Sequence, residues 1–139
     1  MNERFRDPLD GKLLYATTPK FDAALDEATP EELAAATIHI EKSTGPVMLI
    51  AGGDDKLWPS CRLAKIAWDR LGRPRDRNEC YPGAGHYIPA PGNPTTQAHR
   101  TYHATYKLWF ALGGNAKDIA RAGRDSDTKL RAFLSDVLK

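Results

Sequence analysis

The feature that most constrains this chain is a short apolar run that ends in glycines and carboxylates. Residues 45–58 read GPVMLIAGGDDKLW, and residues 47–51 within them are all apolar. A run bounded by Gly-Pro and Gly-Gly predicts a strand buried on both faces, as in a parallel sheet, because a strand with one wet face would alternate. In open α/β sheets the functional groups lie just beyond the carboxyl ends of the strands. Asp55 is therefore the first candidate site residue.

The residues that follow predict a second parallel strand. Residues 61–71 place apolar side chains on one face of a helix that ends at Gly72, and residues 78–81 form a short strand pattern. The next segment, PGAGHYIP, carries His86. Because adjacent parallel strands end at the same edge of a sheet, we expect His86 to lie close to Asp55.

The remaining segments give weaker predictions. Residues 1–20 are polar and predict a loop with one short extended piece, and Thr29 with Glu32 predicts a capping box at the start of a short helix. The aromatic residues in 101–112 have helical spacing and predict a helix. A final helix is predicted over residues 116–138, with Asn115 as its cap.

An aspartate and a histidine at such an edge suggest acid–base chemistry. A histidine that acts as a general base needs a carboxylate on its other ring nitrogen, which fixes the tautomer and stabilises the imidazolium. Asp55 precedes His86 in the chain, which is the order of the acid and base in Ser-Asp-His hydrolases. Two structural alternatives stay open: a turn whose carboxylates cap the next helix, and a loop histidine bonded to the backbone.

Composition limits the classes of protein and of partner. A chain of 139 residues predicts one domain, and a net charge of +2 with interspersed signs predicts neither a nucleic-acid nor a membrane partner. No apolar run approaches the roughly 20 residues that span a bilayer, and the N-terminus lacks an apolar leader. Cys61 and Cys80 have no CxxC spacing and predict buried free thiols in a reducing compartment, so we expect a cytoplasmic protein.

No cofactor or metal is expected. His99 and His103 have the spacing of two ligands on one face of the predicted helix, but no third ligand is evident, which favours a solvated face. No glycine-rich phosphate loop of the P-loop or dinucleotide type occurs.

Two stretches carry a family resemblance. The sequences EKSTGPVMLIAGGDDKLWPS and CYPGAGHYI, with GGNAKD and a long terminal helix, resemble the C-terminal domain shared by acyl-CoA thioester hydrolases and bile acid-CoA:amino acid N-acyltransferases. The resemblance covers residues 38–139 and leaves residues 1–37 as a polar N-terminal segment with a short helix. It implies an α/β-hydrolase with a Ser or Cys nucleophile, in which Asp55 is the triad acid, His86 the triad base and Asp54 only a neighbour.

The nucleophile of that family is absent from this chain. No G-x-S-x-G or G-x-C-x-G pattern occurs, Ser43 and Ser60 lie in other contexts, and in this fold the nucleophile precedes the acid. We therefore expect an α/β fold that is the C-terminal part of an α/β-hydrolase, with the last parallel strands, flanking helices and an incomplete sheet. The exposed strand edge of such a fragment predicts self-association or marginal stability.

These expectations lead to one main functional hypothesis and two alternatives. The chain would supply the Asp and His of an acyl-CoA thioester hydrolase, with hydrolysis or transfer to an amine left open, and would be inactive alone. The first alternative is a non-catalytic binding or interaction module with a hydrolase-like fold. The second is a fragment of another α/β-hydrolase, of the dienelactone hydrolase or the esterase and peptidase type.

Overall fold

The chain folds into two small sheets flanked by helices. The computed structural model describes residues 3–89 and 99–139. Within those ranges a single 3₁₀ turn, Ile40–Lys42, accompanies the regular elements. In chain order these are β1 Glu3–Arg6, β2 Leu13–Ala16, α1 Thr18–Glu27, α2 Pro30–Ala36, β3 Met48–Gly52, α3 Ser60–Trp68, β4 Arg77–Tyr81, β5 Arg100–His103, β6 Leu108–Ala111 and α4 Ala116–Val137.

The predicted β-helix-β unit is present and parallel. β3 pairs with β4 in parallel, with Met48 opposite Arg77 and Gly52 opposite Tyr81. α3 forms the crossover between them and packs on both strands, and α4 also contacts both. The α/β class and the incomplete sheet are thus confirmed, and the two turns of interest lie together at the carboxyl ends of β3 and β4.

β3 is less buried than its apolar sequence predicts. Only its last two residues, Ala51 and Gly52, are buried, and Ile50 is 38% exposed. Among the residues that the structure describes, β3 forms strand pairs only with β4, so its other edge opens onto a groove. The prediction of burial on both faces is therefore wrong for this chain, since a continuous apolar run is buried only where other elements cover both faces of the strand.

A second sheet brings together the two ends of the chain, in the order β1-β2-β6-β5. β1 and β2 form an antiparallel hairpin, β2 runs parallel to β6, and β5 and β6 form a second hairpin. Leu14, Ala16 and Ala111 form the buried centre of this sheet, with Phe5 and Trp109 packed against it. The N-terminal segment, predicted to be mostly loop, therefore contributes half of the strands of this sheet.

The helix predicted over residues 101–112 is wrong. This segment is the β5–β6 hairpin, and Lys107, the last residue of its turn, takes a positive φ of 51°. Aromatic residues at positions 102, 106, 109 and 110 have helical spacing, but aromatic side chains also favour strands. The pairing of β6 with β2 favours the strand over the helix, because it buries Ala111 against Leu14.

The two predicted helix caps are confirmed. The Thr29 hydroxyl accepts the N–H of Glu32, whose carboxylate accepts the N–H of Thr29 in return. The Asn115 side chain accepts the N–H of Asp118 at the start of α4. Across the described residues, no helix combines the length and the apolar character that crossing a membrane requires.

The prediction of two free, buried thiols is wrong, because Cys61 and Cys80 form a disulfide. Cys61 is the second residue of α3 and Cys80 lies in β4, and packing of the helix on the strand brings their Cα atoms to 5.6 Å. That separation lies within the range that a disulfide spans. A spacing of 19 residues gives no signal of this pairing, which depends on a tertiary contact.

Asp76 joins the starts of β3 and β4. Its buried carboxylate accepts the N–H of Val47 at 2.8 Å and the Arg73 Nε–H at 3.0 Å. The hydrogen bond from Arg73 holds the pKa of Asp76 below its ordinary value of 3.8; burial opposes this, and the Val47 N–H adds to it. The unfolded chain therefore takes up this proton at a higher pH than the folded chain does.

Acid should weaken the fold through Asp76. Because the pKa of Asp76 is lowered in the folded state, its contribution is present above pH 3.8 and is lost as the pH falls through the folded value. We expect the free energy of unfolding, measured with urea at a series of pH values, to fall from about pH 4 downward, and Asp76→Asn to flatten that fall. Asp69→Asn, which removes an exposed partner of Lys65, is the control and should leave the slope unchanged. Equal slopes for the wild type and Asp76→Asn would contradict this prediction.

Candidate active site

Asp55 lies in a tight turn directly after β3. Its carboxylate is buried, and Oδ1 accepts the backbone N–H groups of Leu57 at 2.8 Å and Trp58 at 3.0 Å. An aspartate that accepts backbone N–H groups two and three residues ahead stabilises its own turn, which is a common role for Asp in loops. Oδ1 is thereby held in place, and Oδ2 is presented to other groups.

The loop that carries His86 is joined to this turn by backbone hydrogen bonds. The N–H groups of Gly53 and Asp54 donate to the carbonyls of Tyr81 and Ala84 at 2.8 and 2.9 Å. The His86 N–H donates to the carbonyl of Leu112 at 2.7 Å, which ties the loop to the end of β6 as well. The backbone therefore fixes where the imidazole lies relative to the acid turn.

Asp55 and His86 are in direct contact. His86 Nδ1 lies 2.9 Å from Asp55 Oδ2, and the side chains are 29% and 1% exposed respectively. The Trp58 indole and the imidazole are nearly perpendicular, with 5.0 Å between their ring centroids and 85° between their planes. The sequence thus predicted the contact correctly, and Nε2 is the ring nitrogen that this pair leaves for other chemistry.

Ser60 also bonds the same carboxylate. Its hydroxyl donates to Asp55 Oδ2, the oxygen that faces His86. This role of Ser60 is not among the sequence predictions, which place it only outside the context of a nucleophile. The spacing of five residues between an Asp and a Ser at the start of a helix is the signal that was available.

Two threonines at the start of α1 support the acid turn from outside. The Thr18 hydroxyl donates to the carbonyl of Asp55 at 2.8 Å, and the Thr17 hydroxyl donates to that of Leu57. Their backbone N–H groups both donate to the carbonyl of Lys56. The segment before residue 38 therefore takes part in shaping the candidate site.

Asp54 is directed to other partners. Its Oδ2 accepts the N–H of Gly114 at 2.9 Å, and its Oδ1 pairs with Lys56 Nζ at 2.9 Å. These bonds connect the acid turn to the segment between β6 and α4. Asp54 and Asp55 thus have separate sets of partners, and His86 contacts only the second.

An open groove of about 510 Å³ lies beside the Asp–His pair, along the unpaired edge of β3. One wall is the end of β3, another is formed by residues 86–89, and the third is the middle of α4. Its lining is mostly apolar and includes Ile50, Ala51, Gly52, Trp58, Tyr87, Ile88, Pro89 and Leu130. The imidazole of His86 is therefore accessible from the groove while Asp55 is buried behind it.

The other histidines lie apart from this site. His99 Nε2 bonds Asp7 Oδ2 at 3.0 Å, and His103 stacks on Tyr106 with ring centroids 4.5 Å apart, so the two do not share a helix face. Burial alone would raise the pKa of Asp7, but hydrogen bonds from the Leu9 N–H and from His99 outweigh it and lower the pKa. We interpret this pair as a structural contact of the second sheet.

Gly52 makes the approach of the two loops possible. A Cβ at this position would overlap the carbonyl oxygens of Ala84 and Gly85, which lie in the loop before His86. We expect Gly52→Ala to lower the free energy of unfolding by about 2 kcal/mol, since backbone atoms must move to admit the methyl group. Gly45→Ala is the control because its Cβ would meet open space, and a change within about 0.5 kcal/mol is expected there. Equal losses for the two variants in denaturant unfolding would refute the close-approach argument.

Comparison with known proteins gives a consistent result. The family model described as BAAT / acyl-CoA thioester hydrolase C terminal matches residues 17–139. The chain is 38% identical over 104 residues to the peroxisomal succinyl-coenzyme A thioesterase of Mus musculus, over 73% of this chain and 24% of that protein. It is 43% identical over 100 residues to acyl-coenzyme A amino acid N-acyltransferase 1 of Mus musculus, over 70% and 24%.

A third relative is human. The chain is 33% identical over 100 residues to acyl-coenzyme A thioesterase 6 of Homo sapiens, over 70% of this chain and 23% of that protein. The chain therefore spans about a quarter of the length of the curated relatives it matches.

Proposed function

The chain belongs to the BAAT/acyl-CoA thioester hydrolase C-terminal family, and from this premise we propose that it supplies the acid and the base of a Ser/Cys-Asp-His triad that acts on acyl-CoA thioesters. Asp55 is the acid and His86 the base. The nucleophile comes from outside these 139 residues, since the chain has no G-x-S-x-G or G-x-C-x-G pattern. By itself the chain would be inactive.

The observation that carries the proposal is the hydrogen bond of 2.9 Å between His86 Nδ1 and the buried Asp55 Oδ2. A buried carboxylate on Nδ1 selects the Nδ1–H tautomer of the imidazole and leaves Nε2 as the proton acceptor. The carboxylate also stabilises the imidazolium once that proton has been taken up. The relatives include thioesterases and an acyltransferase that are named for acyl-coenzyme A or succinyl-coenzyme A, which supports a thioester as the substrate.

Each step of the proposed reaction gives one function to each side chain. His86 Nε2 removes the proton of the nucleophile as it attacks the thioester carbonyl, and Asp55 Oδ2 holds the imidazolium in place. The proton then passes from Nε2 to the departing coenzyme A sulfur, which leaves an acyl-enzyme. Water or an amine, activated by the same imidazole, releases the acyl group. Hydrolysis and transfer thus share both residues and differ only in the acceptor.

A full-length chimera tests this proposal. The matched C-terminal part of the mouse peroxisomal succinyl-coenzyme A thioesterase is replaced by residues 17–139 of this chain, and release of the coenzyme A thiol is followed with a colorimetric thiol reagent. We expect the chimera to hydrolyse the thioester. The same relative truncated before the match should not do so, and neither should the 139-residue chain alone. A chimera that folds, as judged by circular dichroism, but hydrolyses no more than the truncated protein would reject the proposal.

The proposal extends to self-association of the chain and to its cellular compartment. The edge of β3 that pairs with no other described strand is a surface through which two copies can pair, because an open strand edge presents unsatisfied N–H and C=O groups. A cytoplasmic location stays a prediction. It rests partly on the expectation of two free thiols, whereas in the structure these cysteines form a disulfide. One relative is named as peroxisomal and another, acyl-coenzyme A thioesterase 2 of Rattus norvegicus, as mitochondrial.

A further inference from the structure

The hydrogen bonds to Asp55 are shared equally between its two oxygens. Oδ1 accepts two backbone N–H groups, from Leu57 and Trp58. Oδ2 faces the Ser60 hydroxyl and His86 Nδ1. An ionised carboxylate has about four acceptor positions, so these four partners fill them. The Ser60 hydroxyl is the only side-chain partner of this carboxylate, among the described residues, other than His86 itself.

Ser60 is used in an unusual way for a serine at the start of a helix. A serine there normally accepts a backbone N–H of the first turn and so caps the helix. In α3 the cap position is Pro59, which makes no side-chain hydrogen bond, and Ser60 is the first helical residue. Its hydroxyl donates to Asp55 and not to a group of its own helix. The hydroxyl therefore serves the acid turn.

The backbone bonds to Oδ1 restrain the carboxylate only within the tolerance of two hydrogen bonds. The torsion between Cβ and Cγ of an aspartate is intrinsically broad, and both oxygens move together when it changes. A donor on Oδ2 restricts that rotation. The disulfide strengthens this restraint, because Cys61, the next residue, is joined to Cys80 in β4, the strand that leads to the His86 loop.

We propose that Ser60 is a positioning residue, whose hydroxyl holds Asp55 Oδ2 in line with His86 Nδ1 and so keeps the imidazole in the Nδ1–H tautomer. This inference rests on the proposed function of Asp55 and His86. Ser60 also lines the groove beside the pair, but in this scheme it does not contact the reacting atoms. Its effect passes through the carboxylate.

The first test uses the 139-residue chain and needs no activity. In ¹⁵N-labelled protein, the ring nitrogens of His86 report the tautomer at high pH, and its Nδ1–H proton reports the hydrogen bond to Asp55. We expect the wild type to show the Nδ1–H tautomer, Ser60→Ala to show a mixture of tautomers with a faster-exchanging proton, and Ser60→Thr to restore the wild-type signals. Ser135→Ala, on the exposed part of α4, is the matched control and should match the wild type.

Two spectroscopic outcomes would overturn the inference. One is a folded Ser60→Ala protein whose His86 nitrogen shifts and proton exchange equal those of the wild type. The other is a Ser60→Thr protein that folds and yet behaves like Ser60→Ala, since the hydroxyl would then not be the group that matters.

The second test uses the full-length chimera and separates this inference from the proposed function. Ser60→Ala should lower kcat by about 10- to 100-fold with KM unchanged, the size expected for a hydrogen bond to a charged group, and Ser60→Thr should recover most of it. If the chimera is active and Ser60→Ala keeps its kcat, the inference fails and the proposed function stands. If Asp55→Asn and His86→Ala leave the chimera active, the proposed function fails and this inference falls with it.

Discussion

Asp55→Asn should reduce kcat of the full-length chimera by about 10⁴-fold, with little change in KM. The physical reason lies in the tautomer. The oxygen of the new amide would accept the N–H groups of Leu57 and Trp58, as Oδ1 does now, and its NH₂ group would face His86. The imidazole would then accept at Nδ1 and carry its proton on Nε2, where it can no longer remove a proton from the nucleophile. His86→Ala, which deletes the base, should cost a similar factor.

Asp54→Asn provides a matched control for this variant. Asp54 is the adjacent residue and also has an N–H partner, Gly114, but it makes no contact with His86. Its kcat should therefore stay within a few-fold of that of the parent chimera, although Asp54→Asn makes the same change of charge as Asp55→Asn at the neighbouring position. Steady-state release of coenzyme A thiol measures all three variants. Equal losses for Asp54→Asn and Asp55→Asn, or full activity of Asp55→Asn, would show that the acid has been assigned to the wrong residue.

Loss of the disulfide should lower the free energy of unfolding of the chain by about 3 kcal/mol, the loop-closure value for a loop of about 20 residues. The crosslink joins α3 to β4 and closes the segment that contains the crossover of the β-helix-β unit. It removes conformational freedom mainly from the unfolded chain. Urea unfolding of the oxidised protein and of a double variant, Cys61→Ala with Cys80→Ala, measures the difference.

The control for the disulfide is the same double variant in a dithiol reductant. Reductant should destabilise the wild type toward the variant and leave the variant unchanged, because the variant has no bond to reduce. A wild type whose unfolding is the same with and without reductant, with the thiols shown to be free after reduction, would mean that the bond adds no stability.

The candidate site was predictable because its signals are local. An apolar run that ends in glycines indicates a strand, and the parallel topology places the following carboxylate at the sheet edge. One crossover helix then brings the His86 loop beside the Asp55 turn, as the contact of 2.9 Å confirms. The roles of the two residues in a triad stay a prediction.

The features that the sequence did not reveal depend on three-dimensional geometry, and two of them on contacts between separate segments. The segment 101–112 has helical spacing, but it forms a hairpin because β6 pairs with β2, more than 90 residues earlier in the chain. The disulfide arises from the packing of α3 on β4. The hydrogen bond from Ser60 to Asp55 requires the turn geometry as well as the spacing. The pattern of residues in the sequence does not show which of them lie close together in the folded chain.

The two threonine hydroxyls at the start of α1 set a practical limit for protein engineering. They donate to the carbonyls of Asp55 and Leu57, so the acid turn gains support from a segment about 40 residues earlier. A domain exchange joined at residue 37 would leave both carbonyls without these donors, even though every residue of the Asp–His pair is transferred. The junction therefore belongs before Thr17, and the graft has to carry its own α1.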